Sequence, residues 1–287
     1  MQTLKCSPVL RCLLYLFSVA ICGKGFSQNV VLPNAFAHND YQHKRPLHDA
    51  LENGFSYVEA DVYLRGGRLV VAHRPPVPVF SRKRTLENLY LKPLFDSLAG
   101  NDDPDLLKVT YPITLVIDIK SNAGRTYRAL QNLLEKYKPM LSSCENGKFV
   151  LREVTVVLTG KKPFKNLCCS ENHQVFIDED FRKVSRDSAA NNLYPLASCK
   201  YSHFLKWRGK GEMPDEERAK LCAYVNRAHE LGRKVRLWAS PENKAVWKEL
   251  LSCGVDLINT DKLNELRNFL LAHDMTDSKN DNRYYDN

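Results

Sequence analysis

From about residue 35 onward, short apolar runs alternate with longer segments whose apolar positions recur every three or four residues. The runs predict strands over 35–38, 57–64, 68–73, 113–119, 154–158, 175–177, 196–201, 235–239 and 255–259. The longer segments predict helices over 46–53, 85–98, 127–141, 215–231, 244–252 and 263–271. Punctuation agrees: Pro46 opens one helix and Gly54 follows it, while Gly232 and Gly254 lie just beyond two others. The stretch from Ile113 to Ile119 is almost entirely β-branched or leucine, as a strand covered on both faces should be. Roughly eight strand–helix units over about 240 residues have the size and rhythm of an α/β fold, a (β/α)8 TIM-type barrel. The alternative, an open doubly wound sheet, finds no glycine-rich phosphate loop here.

The first residues break this rhythm. Lys5 and Arg11 precede an apolar run from Leu13 to Cys22, and Gly25-Phe26-Ser27 supplies a small-residue stop. This reads as a signal peptide over 1–27, too short to span a bilayer. It predicts a secreted or periplasmic protein, one barrel domain over 28–275 and a polar tail over 276–287. Ile21 is too large for a lipoprotein site at Cys22, which argues against a lipid anchor, and stable membrane insertion is not expected.

The formal net charge is +9, and cleavage would remove Lys5, Arg11 and Lys24 but no acid. A positive balance favours anionic small molecules or surfaces, although solvated helix faces account for it better. No dense basic tract suggests nucleic acid. The cysteines beyond the leader are Cys144, Cys168, Cys169, Cys199, Cys222 and Cys253. Export would permit disulfides, but the sequence cannot choose a pairing, and buried thiols are the other reading. A structural zinc site is not expected, because no C-x-x-C pair occurs.

The chemistry concentrates at strand ends. Residues i and i+2 of a strand share a face, so Glu59 points with Asp61, and Asp118 with Lys120. These polar residues interrupt apolar strands near their C-terminal ends, the catalytic mouth of a barrel. Three carboxylates there would repel one another unless a cation joined them, and hard oxygen donors select Mg2+ or Ca2+. An exposed strand edge is the plainer alternative. His38 ends the preceding strand. A three-residue loop of Arg65, Gly66 and Gly67 would place His73 opposite Glu59, whereas a two-residue loop would pair it with Ala60 on the wrong face. The functional reading therefore predicts the three-residue loop. Both histidines could be ligands, but with three carboxylates present, acid/base roles fit better. Lys120 serves either an internal ion pair or an anion, and Trp238 either walls the pocket or packs as core.

His38, Glu59-x-Asp61, His73, Asp118-x-Lys120, Trp238 and the closing Gly254-Val255-Asp256 and Asn259-Thr260-Asp261 together resemble the glycerophosphodiester phosphodiesterase-like, PLC-like barrels. The similarity runs from about Ala35 to Leu271 and is greatest to a subgroup reading Ala-His-Asn-Asp-Tyr near the first strand, which includes a fungal protein named for altered inheritance of mitochondria. The resemblance implies one divalent cation on Glu59, Asp61 and Asp118, catalytic His38 and His73, and a pocket Lys120. It implies a metal-dependent phosphoric diester hydrolase acting on a small-molecule phosphodiester, with phospholipid-derived diesters among the options. The pattern departs at Asn39, where arginine is common, and at Arg74, where aspartate is usual; either residue, or Arg45, is then a candidate for phosphate contact. Two alternatives remain: a catalytically silent barrel binding anionic head groups or glycans, and a sphingomyelinase D- or phospholipase-like enzyme forming a cyclic phosphate.

Overall fold

The computed structural model describes residues 30–281 except 77–82, 99–111, 164–166, 168–171 and 185–192, with side chains to 273. The segment 1–27 expected to be a leader, Cys168, Cys169 and residues 282–287 lie outside the described residues. The strands are β1 (Leu32–Ala37), β2 (Phe55–Arg65), β3 (Arg68–Val71), β4 (Ile113–Ile119), β5 (Ser143–Glu145), β6 (Lys148–Val150), β7 (Val154–Gly160), β8 (Val175–Asp180), β9 (Leu196–Lys200), β10 (Lys234–Trp238) and β11 (Ile258–Thr260). The order β10-β9-β8-β7-β4-β2-β1-β11 is parallel throughout, and a bridge between Arg236 and Leu257 brings its two ends together. The result is a nearly closed eight-stranded parallel barrel, the predicted α/β class.

The helices are α1 (His48–Glu52), α2 (Lys92–Leu98), α3 (Ala123–Leu134), α4 (Tyr201–Phe204), α5 (Asp215–His229), α6 (Lys244–Ser252) and α7 (Leu263–Asp281). Local chemistry explains where they depart from expectation. The segment predicted as a helix over 85–98 opens with a wide π-type turn, Glu87–Leu91, because Pro93 has no N–H to offer the carbonyl four residues back. The segment predicted as a helix over 127–141 tightens into a 3-10 turn at Glu135–Met140, which contains Pro139. No glycine or proline stops α7 at Leu271, so it runs on into the segment expected to be a polar tail. No described helix is long and apolar enough to cross a membrane.

The β2–β3 hairpin overturns the three-residue loop. Arg65 pairs with Arg68 and Leu64 with Leu69, leaving only Gly66 and Gly67 in the loop. Both glycines have positive φ, 53° and 75°, which a type I′ two-residue turn requires and two glycines adopt without steric penalty.

Two apolar layers hold the barrel. The larger lies between the strands and the surrounding helices. The smaller fills the lower interior with Phe36, Val116, Val157, Phe176, Leu196 and Leu257. Two residues further along those strands, and so on the same inward face, stand His38, Asp118, Asp178, Ser198 and Asn259. The polar site thus rests on an apolar floor.

A disulfide between Cys222 and Cys253 ties α5 to the residue after α6, while Cys144 and Cys199 are buried. Burial pushes the Cys199 thiol up to about 12, which makes it a poor nucleophile. The disulfide closes a loop with a sequence separation of 31. Replacing both partners with serine should lower the unfolding free energy by about 3 kcal/mol in a urea titration, since the cross-link restricts the unfolded chain.

Candidate active site

Strand register assembles the acidic cluster. In the β2–β4 ladder Glu59 pairs with Val116, and Asp61 pairs with Asp118. Neighbouring residues of parallel strands point the same way, so the Asp61 and Asp118 carboxylates meet inside the barrel. Glu59 joins them from two residues earlier, and each of the three can offer an oxygen within 4.8 Å of the others. Burial raises the pKa of Asp61 and of Asp118, with Lys120 working against the rise in both. The Lys120 Nζ lies 2.5 Å from Asp118 Oδ2 and 3.3 Å from Asp61 Oδ2. That answers one open question: Lys120 forms an internal ion pair.

Asp61 Oδ1 and Asp118 Oδ1 are buried without a hydrogen-bond partner. Two buried carboxylate oxygens left unpaired beside a third carboxylate are costly, and a hard divalent cation is the ligand that this donor set fits. Gly160 belongs to the same cradle. A Cβ there would lie 1.9 Å from Asp118 Oδ1, and its φ of +71° is one side chains rarely adopt.

The two histidines flank the cluster. The amide of His38 donates to Thr260 O across the β1–β11 edge, and its Nδ1 lies 2.7 Å from Asp261 Oδ1. Burial opposes charge on His38, but the Asp261 hydrogen bond and the negative charge of Glu59 outweigh it and hold its pKa above the ordinary histidine value. His73 arrives by a different route from the one the sequence suggested. With the two-residue loop, continued pairing would have carried it to the wrong face, but β3 stops at Val71. Ala72 N still donates to Asp61 O, and the chain then bends, bringing His73 Nδ1 3.2 Å from Tyr41 Oη and 3.4 Å from Asp61 Oδ2.

Tyr41 is buried, and its hydroxyl links the parts. It lies 2.8 Å from Asp61 Oδ2 and 2.7 Å from Asn39 Oδ1. Asn39 adopts a left-handed conformation, φ 48°, and its Nδ2 donates to Asp261 Oδ1 at 3.3 Å. The Asn39 amide is therefore engaged inside the site. Arg74 is exposed in the bend after His73. Arg45 is paired with Asp49 and Glu52 on the surface. Trp238 is 37% exposed at the end of β10, with Lys200 Nζ 5.7 Å from its ring, so it is not part of the core.

Sequence reasoning passed over Arg236, Asp178, Tyr41 and the role of Asp261. Arg236 is fully buried and its Nη1 lies 2.8 Å from Glu59 Oε2. Its signal was present: a cation inside the apolar run Val235-Arg236-Leu237, two residues before Trp238 and on the same face.

Comparison with known proteins places the chain among phosphodiesterase-type domains. Residues 24–178 match the AIM6-like phosphodiesterase domain, and the chain belongs to that family. Residues 234–264 match the glycerophosphoryl diester phosphodiesterase family. The first match takes in His38, Glu59, Asp61, His73 and Asp118; the second takes in Arg236, Trp238, Asn259 and Asp261. The chain is 30% identical to Altered inheritance of mitochondria protein 6 of Eremothecium gossypii, over 83% of this chain and 70% of that protein. It is 29% identical to the protein of the same name from Lachancea thermotolerans, over 82% of this chain and 65% of the relative. It is also similar in structure to a glycerophosphodiester phosphodiesterase from Parabacteroides distasonis, with a TM-score of 0.48, 15% identity, and coverage of 85% of this chain and 97% of that one.

Asp40, beside this network, gives a pH test. Burial raises its pKa to about 6, against hydrogen bonds from Leu47 N and Tyr90 Oη. A folded pKa above the unfolded one means the native state holds the proton more tightly. Asp40 therefore favours folding fully below about pH 4 and loses that contribution as pH rises through 6. Asp40→Asn should remove roughly 2–3 kcal/mol of this decline between pH 4 and 7, measured by urea unfolding of parent and variant. The carboxylate cluster gives a second test. Mg2+ or Ca2+ should raise the thermal midpoint of the parent, equivalent to about 2.7 kcal/mol at a hundredfold excess over Kd, and Asp118→Asn should lose the rise.

Proposed function

We propose that the protein is an exported, divalent-metal-dependent phosphoric diester hydrolase in which His38 and His73 exchange protons with a small phosphodiester. The observation that carries this reading is the cluster of Glu59, Asp61 and Asp118 with two unpartnered buried oxygens, flanked on both sides by a histidine tethered through Nδ1. Family membership supports phosphodiester chemistry; metal dependence, histidine catalysis and export are our own extension. The leader over 1–27 and the Cys222–Cys253 disulfide favour an oxidising compartment.

A bound Mg2+ or Ca2+ would offset negative charge on the phosphoryl oxygens and acidify a hydroxyl near it. The protein's own groups do the rest. With Nδ1 of His38 held by Asp261 and Nδ1 of His73 held by Tyr41 and Asp61, each ring keeps Nε2 for proton exchange. One histidine takes the proton of the attacking hydroxyl and the other delivers one to the leaving alkoxide. Lys120 sits where it can stabilise phosphoryl charge if it exchanges its carboxylate partners for substrate. Trp238 and Lys200 offer a flat face and a cation at the rim for the rest of the substrate. A neighbouring substrate hydroxyl as the nucleophile would give a cyclic phosphate, whereas water would give a monoester.

A panel of glycerophosphodiesters and lysophospholipids, assayed with Mg2+ and with Ca2+ and followed by phosphorus NMR, separates these outcomes. His38→Ala and His73→Ala should each lower turnover by at least about a hundredfold with the fold retained, and chelation should do the same. Full activity in either variant would refute the acid/base assignment. Metal binding with no turnover on any diester would favour the silent head-group-binding barrel instead.

A further inference from the structure

We infer that Arg236 is a positioning residue that locks Glu59 as a one-oxygen ligand and so sets the affinity of the acidic cluster for a divalent cation. The inference rests on the metal reading of that cluster. Arg236 is 2% exposed and sits in the barrel interior just above the apolar floor. Every nitrogen of its guanidinium has a partner: Nη1 lies 2.8 Å from Glu59 Oε2 and 3.3 Å from Asn259 Oδ1, Nη2 3.5 Å from Asp178 Oδ2, and Nε 3.2 Å from Ser198 Oγ. The Phe36 ring closes one face, 4.1 Å from Cζ. Groups from five strands thus fix this one side chain.

Its effect falls on Glu59. With Oε2 committed to Arg236, Oε1 is the oxygen left for the cluster. The Nη1 contact, from a guanidinium itself anchored on Asp178 and Ser198, holds that carboxylate in place whether or not a cation is present, so no side-chain rotation has to be frozen when the ion binds. An ammonium carries the same charge but not the planar two-nitrogen geometry. Asp178, fully buried with Oδ1 unpartnered, is the counter-charge that lets a guanidinium sit this deep without an excess of positive charge.

The test measures Mn2+ affinity in the absence of substrate, by calorimetry and by the free-ion EPR signal, on chains shown to be folded by circular dichroism. Arg236→Lys keeps the charge and loses the fork. Its Kd should rise about tenfold, the lower end of the range seen when groups that orient metal ligands are removed. Arg236→Met combined with Asp178→Asn removes one charge of each sign, leaving the total unchanged, and should weaken binding about tenfold or more. A purely structural role would lower the melting midpoint and leave Kd alone. Parent-like Kd in either folded variant overturns the inference while the metal reading stands. If the parent itself binds no Mn2+, both fall together.

Discussion

Parallel pairing of β2 with β4 puts Asp61 directly beside Asp118 on the inner face of the barrel, and much of the surrounding structure answers to that placement. Two unit charges about 4 Å apart repel by roughly 4 kcal/mol at a typical protein dielectric, a sizeable share of a domain's whole stability. Strand register leaves neither side chain free to turn away, so compensation has to come from neighbours. Lys120 reaches both carboxylates from the end of β4, and Tyr41 contacts Asp61 from the loop after β1. Gly160 contributes by lacking a side chain where one would strike Asp118. Even so, one oxygen of each aspartate stays without a partner. Such a deficit calls for an explanation, and an ion bound between the two carboxylates is one that removes it.

Charge is layered along the barrel axis. The apolar layer of Phe36, Val116, Phe176 and their neighbours excludes water from below. Arg236 lies next, its charge divided between Glu59 and Asp178. Above come the aspartates and Lys120, then a half-exposed rim with His73, Trp238 and Lys200. The fixed guanidinium sits deep and the two histidine rings sit nearer solvent. A fixed counter-ion works best where the dielectric is low.

The fold was legible because its signals are local. The Ile113–Ile119 run could only be a strand covered on both sides, and Gly232 and Gly254 mark helix ends wherever the rest of the chain lies. The carboxylate cluster was legible because a two-residue spacing is enough to put Glu59 beside Asp61. The approach of His73 was not. Its expected route assumed that β3 pairs all the way to residue 73, whereas the strand stops at Val71 and the chain bends toward Tyr41. The right neighbourhood was inferred through the wrong loop. Arg236 was missed for a related reason: its partners come from β2, β8, β9 and β11, and no spacing along the chain brings those residues together.

The barrel seam joins distant parts of the chain. β4 and β7 are joined by seven paired positions, whereas β10 meets the last strand through one bridge, the Leu257 amide on Val235 O, and Asp256 reaching back to the Val235 amide. β11 is instead laddered to β1 at the other end of the sequence. It also brings Asn259, which touches Arg236, and the residue after it is Asp261, which holds His38. Without residues 258–261, β1 would lack the strand laddered to it and His38 would lack its Asp261 partner. Whatever chemistry this mouth performs therefore draws on the first and the last described strands together.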